Sequence, residues 1–212
     1  MQWTLVIPVK LLSRAKSRLS DTAADSLRPG LALAFAQDTV AAALACSAVK
    51  DVAVVTDDAV AGRELGALGA HIVSDEPHGG LNAALAHAAA VVRAARPESA
   101  VAALNADLPA LRPLELARVL DAAMEFPRAF LPDAAAIGTT LLAAREGVEL
   151  QPVFGTDSRA RHRASGAAEL VLDAVDSVRQ DVDTGADLRT ALALGVGPRT
   201  ATQAARLLIP GQ

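Results

Sequence analysis

Short runs rich in Val and Ile alternate with longer Ala- and Leu-rich runs along most of this chain, and that alternation constrains the fold more than any other feature. Strands read over residues 3–9, 52–56, 71–74, 100–104, 129–132 and 139–143. Helices read over 30–46, 59–68, 81–96, 113–124 (with Pro113 at its favoured first position), 158–165 and 187–194. Strands and helices in alternation predict a mostly parallel sheet covered on both faces. In such sheets ligands bind beyond the carboxyl ends of the strands, where the strand order reverses, so the loops after strands are where chemistry belongs. The 212 residues fit one domain over 1–212, with no repeat, linker or low-complexity tail.

Composition narrows the function classes. The chain is 52% hydrophobic but only 2% aromatic, so its core is built from Ala, Val, Leu and Ile. Few rings argue against binding single-stranded nucleic acid by stacking. The net charge of −4 provides no global field for nucleic acid or acidic lipid. An anionic substrate must therefore be held by local clusters. The single cysteine, Cys46, lies in an Ala-rich stretch and reads as a core residue, with neither a disulfide partner nor a zinc-ligand spacing. No segment reads as a signal peptide or membrane span, which makes the cytoplasm the default location.

Five segments carry candidate chemistry. The first follows the first strand: residues 8–20, with Lys10, Arg14, Lys16 and Arg18. The last three alternate, so an extended loop would present them as one cationic wall. The chain has seventeen arginines and three lysines among its 20 basic residues, yet two of the three lysines sit here. A compact ammonium on a flexible stem suits polyphosphate. A solvated basic loop is the bland alternative, but the position after the first strand favours phosphate binding. The spelling is neither a P-loop nor a dinucleotide fingerprint.

The second segment, Gly79, Gly80, Leu81 and Asn82, opens a helix and allows close backbone approach to an anion, or is an ordinary turn. In the third, Asp107 stands just past an apolar strand, followed by Pro109, a placement suited to a metal carboxylate or to a cap. The fourth holds Asp181 and Asp183 two apart. The backbone path decides whether one or both face a site, and Asp183 or Thr184 could instead cap the helix over 187–194. With Asp107 they would supply the hard oxygen ligands that Mg²⁺ prefers. The fifth combines Gly138, Thr139 and Thr140 with residues 154–163. Asp157 or Ser158 could cap a short helix there, and Arg159 and Arg163, four apart on one face, suggest a phosphate or carboxylate site. Arg161, His162 and Arg163 otherwise read as surface charge, with no proton-transfer role for His162.

Together these motifs resemble the CofC/FbiD family of guanylyltransferases of coenzyme F-420 (deazaflavin) biosynthesis. The resemblance covers nearly the whole chain. Its most specific pieces are PVKLLSRAKSRLS, NADLPAL, GTTLL, FGTDSRARHRASGA and RQDVDT. It implies a GT-A-like, nucleotide-diphospho-sugar transferase-like three-layer α/β sandwich with a mostly parallel mixed sheet. It also implies transfer of GMP from GTP to a small phosphorylated acid, with the product passed to a downstream transferase of the deazaflavin pathway. Phosphoenolpyruvate is favoured as acceptor, with 2-phospho-L-lactate and 3-phosphoglycerate as alternatives. By the same resemblance Thr140, Gly155 and Ser158 bind the acceptor, and Asp107, Asp181 and Asp183 bind Mg²⁺. Lys10, Arg14, Lys16, Arg18, Gly79, Gly80 and Asn82 would hold GTP, with Lys16 and Asp107 catalytic. A GT-A glycosyltransferase is the nearest rival, but its Asp pair usually follows a mid-chain strand. A non-catalytic nucleotide-binding regulator would not need three metal carboxylates.

Overall fold

A computed structural model of the chain describes residues 2–14, 19, 26–76 and 78–208, without the side chains of Arg14 and Leu208. Its centre is a seven-stranded sheet of β1 (Trp3–Pro8), β2 (Val49–Val55), β3 (His71–Val73), β4 (Ala100–Leu104), β5 (Arg128–Pro132), β6 (Thr139–Ala144) and β7 (Ala168–Glu169). The spatial order is β3-β2-β1-β4-β6-β5-β7. Every neighbouring pair is parallel except those made by β6, which runs against β4 and β5. The mostly parallel mixed sheet read from the sequence is therefore present.

The central strands are apolar on both faces because both faces are covered. Alternate residues divide between two cores, as the period of a strand requires. Trp3, Leu5 and Ile7 of β1, with Ala100, Ala102 and Leu104 of β4, pack with α1 (Arg28–Leu44), α2 (Ala59–Gly66) and α4 (Pro113–Ala123). Val6, Val101 and Ala103 face α3 (Leu81–Ala95) and Phe154 on the other side. This gives three layers. The strands carry small Ala side chains where helices approach, which explains a dense core with few rings.

Four more helices follow: α5 (Ser158–Ala164), α6 (Asp176–Arg179), α7 (Gly185–Leu194) and α8 (Pro198–Ala205). The sequence reading ended the helices at residue 194 and missed α6, α8 and β7. α6 and β7 are too short to show a period, and α8 is held by a tertiary contact. Asp38, buried in α1, accepts the backbone N–H groups of Thr200 (2.7 Å) and Arg199 (3.3 Å) at the α8 N-terminus. Cys46 is buried in the larger core, as expected, and burial pushes its thiol pKa up. Among the described residues no helix is long and apolar enough to cross a membrane.

Candidate active site

The chain passes from β1 outward to β2 and β3, then returns to β4 on the other flank of β1. That reversal separates the loops after β1 and β4 and leaves a crevice. β6 is antiparallel, so its first residues reach the same edge as the last residues of β4 and β5. A cavity of about 680 Å³ opens there, lined by the β1 exit (Pro8, Val9, Lys10), the β4 exit (Asn105, Ala106, Asp107), the β5–β6 turn, the segment 154–158, and Asp181 and Asp183. This volume suits a nucleotide-sized ligand. β1 and β6 lie two strands apart, roughly 10 Å at the usual inter-strand spacing, and both contribute residues to the lining.

Backbone contacts bring the carboxylates together from distant parts of the chain. The Val182 N–H donates to the Asp107 carbonyl at 3.0 Å. Val182 itself is fully buried with Phe35, Leu31 and Leu188. Residues on either side of an inward-facing one point the other way, and both Asp181 and Asp183 line the cavity. The Asn105 amide reaches an Asp181 oxygen at 3.5 Å. Helix capping is taken by Thr184, which forms a capping box with Asp187, leaving Asp183 to the cavity.

The donor set suits Mg²⁺. This ion is usually held by one or two carboxylates plus substrate phosphates rather than by a complete protein cage, and three Asp residues converge on one cavity. Among the described residues, the trio with ligand atoms all within 4.8 Å of one another is a different one: Asp57, Asp75 and His78. Within that trio Asp57 contacts both of the others. Asp57 accepts the Asp75 N–H at 2.9 Å and lies 3.3 Å from His78 Nδ1.

The basic loop begins with Lys10 exposed in the cavity wall. The loop's base is pinned by Asp58, which accepts the Leu12 N–H at 2.9 Å while capping α2 through Val60 and Ala61. Burial alone would raise the Asp58 pKa, but the N–H groups of Ala61, Leu12 and Val60 outweigh it and hold the carboxyl below its usual value. Lys16 and Arg18, and the side chain of Arg14, lie outside the described residues.

Other expected contacts fall differently. Gly79, Gly80 and Asn82 do not line the cavity, although Leu81 does. Asn82 instead clamps Phe154, donating to its carbonyl (3.1 Å) and accepting its N–H (2.8 Å). Gly155 and Ser158 line the cavity; Thr140 is fully buried and does not, and its carbonyl accepts the Asn105 N–H. Asp157 stands at the N-cap of α5 but its side chain makes no capping bond. Arg159 and Arg163 are not turned to the cavity as an anion site: both bind Glu169 of β7, with Arg159 Nη2 at 2.7 Å from its carboxylate. The two arginines hold the Glu169 pKa down, against burial. The periodicity of α5 placed them on one face correctly, but a two-residue strand too short to read supplied their partner.

His162 is also corrected: it is fully buried rather than surface charge. Sequence reasoning further missed Asp133, whose carboxylate takes the N–H groups of Ile137 (2.9 Å) and Gly138 (2.8 Å) and so shapes the β5–β6 turn. A Cβ on Gly138 would lie 2.3 Å from Asp133 Oδ2, so glycine is required for that closeness. Arg179 donates to the Pro132 carbonyl and its own carbonyl accepts the Ala134 N–H, tying this turn to the segment that carries Asp181. The Asp-to-Gly spacing of a tight turn was the available signal.

The fold is that of the nucleotidyl transferases of the nucleotide-diphospho-sugar transferase type. A nucleotidyl transferase from Methanothermobacter thermautotroptrophicus superposes with TM-score 0.65 at 20% identity, covering 91% of this chain and 97% of that one. A Mycobacterium tuberculosis protein solved in complex with manganese gives 0.56 at 22%, covering 91% and 99%. The chain belongs to the CofC-like guanylyl transferase family, whose model matches residues 3–206. A relative from Streptomyces coelicolor named phosphoenolpyruvate guanylyltransferase is 84% identical over 212 residues, all of both chains. One of the same name from Thermomonospora curvata is 60% identical over 98% of this chain and 90% of its own length.

Proposed function

We propose that this chain transfers GMP from GTP to phosphoenolpyruvate, giving enolpyruvyl-diphospho-guanosine and pyrophosphate, as a step of coenzyme F-420 biosynthesis. The observation that carries the reading is one cavity at the strand-order switch. There Lys10, Asp107, Asp181 and Asp183, and the Gly155–Ser158 segment line the same cavity. Family membership and relatives named for this activity supply the choice of nucleotide and acceptor.

The acceptor's phosphate oxygen attacks the α-phosphorus of GTP and pyrophosphate leaves in line. That oxygen is ionised near neutral pH, so no general base is needed, and catalysis rests on positioning and charge neutralisation. Lys10, Arg14, Lys16 and Arg18 hold the β- and γ-phosphates and stabilise the leaving group. Gly155 and Ser158, with the segment around Thr140, hold the acceptor. Gly79 and Gly80 bring the α3 N-terminus up to the nucleotide, and Asn82 keeps Phe154 in register with it. Asp107, Asp181 and Asp183 would hold Mg²⁺, which when bound would neutralise phosphate charge between the two substrates. The enzyme works in the cytoplasm and hands its product to a downstream transferase of the deazaflavin pathway.

A pyrophosphate-release assay tests the proposal, pairing GTP, ATP and CTP with phosphoenolpyruvate, 2-phospho-L-lactate and 3-phosphoglycerate. Release is expected with GTP and phosphoenolpyruvate, abolished by chelation and restored by Mg²⁺. Turnover of another acid alone would move the acceptor assignment. Release of a nucleoside diphosphate would point to a glycosyltransferase instead.

A further inference from the structure

The acceptor end of the cavity contains a hydroxyl whose direction is fixed by a buried imidazole. Thr139, the first residue of β6, lines the cavity and is otherwise buried. Its Oγ1 lies 2.9 Å from His162 Nδ1. The other ring nitrogen, Nε2, accepts the backbone N–H of Val153 at 3.1 Å. A nitrogen that accepts a hydrogen bond carries no proton. The neutral ring must then carry its proton on Nδ1, which faces the Thr139 oxygen, with the Ser158 backbone as a further partner of the ring. The ring is completely buried, with its edge against Phe154 (centroids 4.9 Å apart) and Phe130 on another side (5.7 Å), so it has no room to flip or to hydrate. Burial, then the charges of Arg128 and Arg161, keep it neutral.

Thr139 therefore receives a hydrogen at its oxygen and must send its own hydrogen elsewhere. Among the described residues its hydroxyl has no other hydrogen-bond partner, and Thr139 lines the cavity. We propose that His162 is a positioning residue which makes Thr139 an obligate hydrogen-bond donor to an oxyanion of the acceptor, its phosphate or carboxylate. A hydroxyl free to rotate would accept from an alcohol or amine equally well; one held in this way favours an acceptor group. The inference rests on the reaction proposed above. It gives a role to Thr139, which the sequence placed in the candidate acceptor segment without one, and to His162, which the sequence left as surface charge.

The same ring braces the opposite wall. Its bond to Val153 fixes the loop leading into Phe154, which Asn82 clamps from α3. One side chain thus sets the separation between Thr139 and the Gly155–Ser158 segment.

The test uses the whole chain and three variants: Thr139→Val, which keeps the shape and removes the hydroxyl; Thr139→Ser, which restores it; and His162→Gln, whose amide oxygen can still accept from Val153. Steady-state kinetics give KM for GTP and for phosphoenolpyruvate separately, and calorimetry measures binding of phosphoenolpyruvate in the absence of GTP. Thr139→Val should raise the phosphoenolpyruvate KM and Kd about 10- to 100-fold, the range for losing a hydrogen bond to a charged group, with the GTP KM within about twofold. Thr139→Ser should recover most of the loss. Nitrogen-15 NMR should show His162 with Nδ1 protonated and Nε2 bare. An unchanged phosphoenolpyruvate KM and Kd in Thr139→Val, an equal rise in both KM values, or an Nε2-protonated His162 would each overturn the proposal. Failure of the reaction is separable. A wild-type chain that binds phosphoenolpyruvate through Thr139 but releases no pyrophosphate would remove the activity and keep the donor, and one that neither binds nor reacts would remove both.

Discussion

Acid should unfold this protein partly through His162. The ring is completely buried between Thr139, Val153, Phe130 and Phe154. Burial, reinforced by Arg128 and Arg161 and only partly opposed by a backbone bond involving Ser158, pushes its pKa down from 6.5 to about 4. In the unfolded chain the imidazole returns to its ordinary value, so between these limits the unfolded state binds more protons than the folded one. The contribution to stability is therefore complete above about pH 6.5, falls as pH falls, and is gone below about pH 4. At about 1.4 kcal/mol for each tenfold change in proton affinity, the full effect is about 3 kcal/mol. Roughly 2 kcal/mol of it is lost by about pH 5, where the unfolded imidazole is already nearly all protonated. Against a usual domain stability of about 5–15 kcal/mol, that is large enough to measure. Urea unfolding of the wild type and of His162→Gln between about pH 7.5 and about pH 4.5 isolates it, because carboxylate titrations are common to both proteins. The variant should be less stable at neutral pH, and the gap should shrink by about 2 kcal/mol on going to about pH 5. A gap that stays constant with pH would refute the argument.

Asp107→Asn should lower kcat at least about 100-fold while the chain stays folded, since the Asp107 carbonyl bond to Val182 belongs to the backbone and survives the substitution. Near-normal turnover would remove Asp107 from the mechanism. Lys16→Ala should raise the GTP KM roughly tenfold or more, by loss of a charged hydrogen bond to phosphate; unchanged GTP kinetics would refute the grip assigned to this loop. In Gly197→Ala the new Cβ would lie 2.3 Å from the Asp38 carboxyl carbon, forcing that carboxylate off the α8 N-terminus. Lost capping and overpacking together should cost about 2–4 kcal/mol in urea unfolding, and a change below about 0.5 kcal/mol would show that α1 and α8 move apart freely.

The sequence by itself determined the layered sheet, because continuous apolar strands and Ala-rich helices leave few other ways to bury both faces of β1 and β4. It also marked out the basic loop after β1, the carboxylates Asp107, Asp181 and Asp183, and the 154–158 segment, since each carries an unusual residue pattern at the end of an element. Tertiary structure alone decided which side chains share a wall. Arg159 and Arg163 satisfied their spacing rule yet turned to Glu169, and Thr184 took the helix cap that left Asp183 to the cavity. His162, within a run of arginines, read as surface charge and proved to be the most enclosed polar ring of the site. Burial depends on what the rest of the chain brings to a residue, here Phe130 from β5 and Val153 from a loop, and no local pattern records those partners.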